Sequence, residues 1–85
     1  MKTFIAKVVV KLKPNIPDAR GLVLKRAIES IMEVENLTCR IGTSFSFEFD
    51  AENQIEALNI IDKIAEDLLV NNVTEDYEVR ALNEV

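Results

Sequence analysis

The stretch Leu37-Thr38-Cys39-Arg40-Ile41-Gly42-Thr43-Ser44-Phe45-Ser46-Phe47-Glu48-Phe49-Asp50 decides the fold. From Ser44 to Asp50 the alternation is unbroken: Phe45, Phe47 and Phe49 share one face, and Ser44, Ser46 and Glu48 the other. A period of two marks a half-buried strand. Leu37, Cys39 and Ile41 show the same pattern just upstream, and Gly42-Thr43 reads as a tight turn, so the stretch predicts a hairpin. Without a basic surround, a row of phenylalanines is core and not a platform for stacking bases.

Working outward, Thr3 to Lys13 predicts another strand, with Phe4, Ala6, Val8, Val10 and Leu12 on one face. Pro14-Asn15-Ile16-Pro17 ends it. Asp18 is a suitable N-cap, because its carboxylate can accept from the free amides of a first helical turn. The helix it opens runs to about Met32, with Leu24, Ala27, Ile28 and Ile31 as an apolar stripe. Gly21 in its first turn costs about 1 kcal/mol against alanine, so either something packs close to the backbone there or the defect is tolerated. Downstream, a second helix is predicted from about Asn53 to Val70, its stripe Ala57, Ile61, Ile64 and Leu68, widened by Leu58 and Ala65. Asn71 ends it. Asp76 to about Leu82 predicts the last strand.

The predicted order is β-α-β-β-α-β within a single domain, residues 1–85. The simplest packing is an α+β two-layer βαββαβ sandwich: a four-stranded antiparallel sheet with two helices on one face, ferredoxin-like or closely related. Its uncovered face is expected to carry Ile5, Lys7, Val9, Lys11, Arg40, Ser46, Glu48, Glu78, Arg80 and Leu82. A chain of 85 residues hides only about 60% of its unfolded surface. Such a thin core favours association, through this face or through strand edges.

Composition excludes most chemistry. The absence of histidine removes His-based acid–base catalysis, Ser-His-Asp and Cys-His nucleophiles, and most transition-metal sites. With only Gly21 and Gly42, there is no phosphate-binding loop or dinucleotide fingerprint. Arg20 follows the first strand but lacks the glycine-containing loop of an acylphosphatase. The lone Cys39 reads as a small core residue and not as a reactive thiol. A net charge of −5 disfavours nucleic acid and anionic membrane surfaces. Lysines interrupt the N-terminus too soon for a signal peptide, and no apolar run is long enough to span a bilayer, so a cytoplasmic location is expected.

Several local patterns then coincide. Lys11-Leu12-Lys13 precedes a short loop and Asp18-Ala19-Arg20-Gly21. Arg40-Ile41-Gly42 follows, and Leu68-Leu69-Val70-Asn71-Asn72-Val73-Thr74-Glu75-Asp76-Tyr77 leads into the last strand. Together these resemble PurS, the family of small subunits of phosphoribosylformylglycinamidine synthase. The chain departs from the family pattern at Ala19, Thr43, Asn72 and Thr74. The resemblance implies a non-catalytic bridging subunit in purine biosynthesis, a homodimer or tetramer. It would join an ATP-dependent ligase subunit to a glutaminase subunit and assist ammonia transfer. It implies no cofactor on this chain, since ATP, Mg and glutamine are used by the partners. The positions matching the family are Asp18, Gly21, Arg40, Gly42, Asn71, Glu75, Asp76 and Tyr77, with architectural or subunit-contact roles. The competing reading is a dimeric small-molecule-sensing regulatory domain, disfavoured by the proline-bounded loop after the first strand.

Overall fold

A computed structural model describes residues 1–85. Strand β1 (Lys2–Leu12) is followed by helix α1 (Ala19–Ile31), strand β2 (Gly42–Ala51), helix α2 (Gln54–Ile64) with a π-helical turn (Ala65–Leu69), and strand β3 (Glu75–Glu84). The sheet order is β2-β1-β3, both pairs antiparallel. β1 is central, and its alternate residues Phe4, Ala6, Val8 and Val10 are buried as their spacing predicts. Phe45, Phe47 and Phe49 lie opposite Val8, Ala6 and Phe4, so the phenylalanine row does join the core face.

The expected four-stranded βαββαβ sandwich is corrected: the sheet has three strands, and the order is β-α-β-α-β. Leu37–Ile41 belongs to no strand, and Gly42-Thr43 is no turn but the beginning of β2. Gly42 does not take a positive φ, which a two-residue hairpin turn of the favoured kind requires. It lies opposite Lys11, where an added Cβ would come within 2.9 Å of the Val10 carbonyl oxygen. Its role is to permit a close approach between strands. The Ile41 amide, which a hairpin would use in its ladder, donates instead to the Asp18 carboxylate at 2.7 Å.

The helices differ sharply. α2 and its π turn cover the sheet, burying Ala57, Ile61 and Ala65. Asn53 caps α2 by accepting from the Glu56 amide at 2.9 Å. The π turn adds a residue to the helical repeat. That rotates Leu68 out to 79% exposure and brings Leu69 and Val70 onto the core in its place. α1 instead stands away from the sheet, and only Gly21 of it is buried. Its predicted stripe does not pack: Leu24 and Ile31 are exposed, as are Leu22, Val23 and Met32 beyond it.

A β-bulge corrects the last strand. Lys7 pairs with Ala81 and Val8 with Val79, leaving Arg80 as the extra residue. The bulge reverses the facing of everything after it. Leu82, expected on the open face, packs under α2 beside Phe4 and Ala6.

Candidate functional site

The positions singled out from the sequence gather at one end of the sheet, where β1 finishes and β2 and β3 begin. Lys11 faces Gly42 on one side, and Leu12 faces Glu75 on the other.

On the β2 side, Asp18 does two jobs. One carboxylate oxygen accepts from the Gly21 amide at 2.8 Å and caps α1; the other accepts from the Ile41 amide at 2.7 Å. These two bonds, foremost that from Ile41, hold the Asp18 carboxyl below its ordinary pKa, and the Arg40 and Arg20 charges act the same way. Gly21 sits so close to this junction that an added Cβ would collide with the Cys39 carbonyl oxygen. The close-approach reading of that glycine therefore holds.

The Arg40 guanidinium donates to backbone carbonyls of the β1–α1 connection, Lys13 at 2.9 Å and Ile16 at 2.8 Å, with Leu12 at 3.5 Å. A planar fork suits several convergent acceptors where a lysine would serve as a point charge. Asp18 and Arg40 thus tie the residues on both sides of α1 to each other.

On the β3 side, Asn71 and Glu75 close a turn reciprocally. The Asn71 carbonyl accepts from the Thr74 and Glu75 amides, while the Glu75 carboxylate accepts from the Asn71 amide at 2.8 Å. The Asn71 side chain accepts from the Val73 amide at 3.0 Å, an Asx turn. Asp76 is exposed opposite Lys11. The Tyr77 hydroxyl lies 3.0 Å from an Asp62 oxygen and 3.2 Å from a Glu66 oxygen. It has one proton to share between them. Burial first, then the two carboxylates, push its pKa from 10.0 to about 12.

Asp62 and Glu66 were not singled out in advance, and Lys13 was named only within the Lys11-Leu12-Lys13 pattern. Asp62 and Glu66 stand four apart on one helical face, a spacing that marks neighbours but not what they meet. Lys13 donates from its ammonium to the Asn72 carbonyl at 3.0 Å, which no sequence pattern announces. An open groove of about 690 Å³ lies over this side, lined by Lys13, Glu66, Asp67, Glu75, Asp76 and Tyr77 among others. Its named contacts are architectural: a lysine on a backbone carbonyl, a glutamate on a backbone amide, and a tyrosine hydroxyl on two helix carboxylates. They shape the end of the sheet; none is a nucleophile beside a base.

Residues 5–83 match the PurS family, described as phosphoribosylformylglycinamidine (FGAM) synthase. The chain is 37% identical over 82 residues to the phosphoribosylformylglycinamidine synthase subunit PurS of Thermotoga maritima, spanning 96% of this chain and 100% of that one. Its fold superposes on Thermus thermophilus PurS with a TM-score of 0.85, at 30% identity and 98% coverage of both chains. It also superposes on a chain in the structure of PurLQS from Thermotoga maritima, with a TM-score of 0.81, 36% identity and 100% coverage of both. A likeness in sequence and fold that runs the length of the molecule is decisive: the chain belongs to the PurS family of phosphoribosylformylglycinamidine synthase subunits.

Proposed function

We propose that this chain is the non-catalytic bridging subunit of a phosphoribosylformylglycinamidine synthase. It joins the ATP-dependent ligase subunit to the glutaminase subunit and assists ammonia transfer between them in the cytoplasm. ATP, Mg and glutamine are handled by the partners. The observation that carries this reading is the end-to-end match to a chain in the PurLQS structure from Thermotoga maritima.

The physical character of the chain supports it. The polar groups at the end of the sheet hold backbone, and a row of apolar side chains on α1 has nothing to cover it. A small domain with such a surface gains most by association, so the subunit is also a homo-oligomer.

Reconstitution tests the proposal. Ligase and glutaminase subunits are mixed with and without this chain, and amidine formation is followed with glutamine or with ammonium as the nitrogen source. The expected result is that omission abolishes the glutamine-dependent reaction and spares much of the ammonium-dependent one. Equal glutamine-dependent rates with and without the chain would sink the reading.

A further inference from the structure

We propose that the end of α2 is a two-register switch latched by Asn72. One register is the π turn, with Leu69 on the core and Leu68 in solvent. In the other register the α-helix runs on, Leu68 takes the core position and Leu69 turns out. The switch goes beyond the bridging and homo-oligomer readings and depends on neither.

The point of slippage is set by the side chains before it. Lys63 and Asp67 form an ion pair at 3.0 Å, and Asp62 and Glu66 both reach the Tyr77 hydroxyl. Each pair has the i, i+4 spacing of neighbours on an α-helix. Side chains up to Asp67 therefore keep α-helical positions, and the register slips at Leu68 and Leu69. A regular helix advances about 100° per residue. On that path Leu68, seven positions after the buried Ile61, would lie almost directly beneath it. Leu69 would lie about 80° to the side. The structure has the reverse. Leu68 is 79% exposed, while Leu69 and Val70 pack on the cluster that holds Ile61 and Ala65.

Asn72 holds the turn in this form. In a continuous α-helix the Val70 amide would donate to the Glu66 carbonyl. It donates instead to the Ala65 carbonyl at 3.1 Å, and the Glu66 carbonyl accepts from the Asn72 side-chain amide at 3.3 Å. Asn72 thus replaces a backbone donor that the π turn has moved away. Asn72 is itself held, because its own carbonyl accepts from the Lys13 ammonium at 3.0 Å. The latch runs from the end of β1 through Asn72 to the last turn of α2. It stands at the surface, with Asn72 exposed and Lys13 half-buried.

The two registers are close in free energy for a simple reason. They exchange one leucine for another at the same core position, so the apolar area hidden there barely changes. The α register gives up the half-buried Val70 and frees Asn72. It gains the regular ladder that the π turn interrupts. The residue released passes into the turn before β3, which the Asn71–Glu75 bonds close. That turn and Lys13 line the open groove together with Glu66 and Tyr77. Groove and helix face therefore act on each other. A group that takes the Lys13 ammonium or the Asn72 amide in the groove unlatches the helix end and changes which leucine the chain presents.

The test follows the methyl groups of Leu68 and Leu69 by NMR in the full chain. Asn72→Ala opens the latch. Leu68 is then expected to gain contacts with Ile61 and Ala65 and Leu69 to lose them, with relaxation dispersion on both in the μs–ms range of helix register shifts. Leu69→Lys puts a charge where the π register needs an apolar group. That variant is expected to stay folded, with Leu68 inside in place of Leu69. Stability is read alongside by denaturant titration. Leu68→Ala is expected to change the unfolding constant by less than about threefold in the otherwise unmodified chain, as for a surface residue. In the Asn72→Ala background it is expected to raise it by at least about tenfold, as for a core leucine. A merely structural Asn72 would lower stability without moving Leu68. The switch is overturned if Asn72→Ala leaves Leu69 on the core with flat dispersion, if Leu69→Lys unfolds the chain, or if Leu68→Ala costs the same in both backgrounds.

Discussion

At the scale of single residues, three positions have consequences that can be measured. Gly21 cannot accept a side chain, because the Cys39 carbonyl occupies the place of its Cβ. Gly21→Ala should therefore destabilise by about 1–3 kcal/mol, although alanine favours the helix by about 1 kcal/mol. A melting temperature at or above that of the unmodified chain would contradict the close approach. Asp18 has a depressed pKa, so its carboxylate stabilises the fold above the unfolded value, ordinarily 3.8, and that contribution is lost as pH falls through the lower folded value. Asp18→Asn should flatten the acid limb of a stability-against-pH curve and leave its slope near neutrality unchanged. Tyr77 behaves in the opposite sense. Its pKa is raised from 10.0 to about 12, so the fold keeps its full stability below pH 10 and loses some as pH rises towards 12. Tyr77 is the sole tyrosine and there is no tryptophan, so phenolate absorbance reports on it alone. Titration in the folded chain should have a midpoint near 12, and Asp62→Asn should lower it.

At the scale of elements, the Asp18–Arg40 junction determines where α1 goes. Arg40 gathers carbonyls from the β1–α1 connection, and Asp18 gathers amides from the first turn of α1 and from Ile41 beyond its far end. Arg40→Ala should cost roughly 1.5–3 kcal/mol, since charge-assisted bonds to several carbonyls are lost together. Arg40→Lys should recover only part of that loss, which denaturant midpoints would show. The sequence revealed Asp18 as a cap, because one side chain and the next turn suffice for that. It did not reveal the second bond to Ile41, because that partner is 23 positions away. The bulge at Arg80 and the π turn at Ala65–Leu69 were hidden for a related reason. Each inserts one residue into a regular repeat. Whether Leu68 or Leu69 meets the core depends on what lies opposite and not on the local pattern.

For the whole molecule, the apolar side of α1 is the central fact. Ile31 is 77% exposed and Val23 66%, so replacing either removes no packing within one chain. Ile31→Lys should leave a dilute monomer's melting temperature within the small change usual for surface substitutions, about 0.5 kcal/mol. It should shift sedimentation at micromolar concentration towards the monomer. Loss of stability without a change in association would place Ile31 in a core that the structure does not show. The stripe on α1 was visible in the sequence, but periodicity says only that a face must be covered. It does not say that the cover comes from the same chain.

Local and short-range physics thus determined much from the sequence alone: a central strand buried on alternate residues, the capped start of the first helix, the phenylalanine row, and the membership of a family whose likeness runs along the chain. The number of strands, the direction of α1 and the facing of Leu82 were left to tertiary structure. Alternation records which residues prefer burial, and it is identical whether Leu37–Ile41 folds back on its own sheet or runs straight into β2. The choice was made by a carboxylate at Asp18 taking the Ile41 amide and by a glycine lying flat against β1, contacts between residues that the chain order keeps far apart.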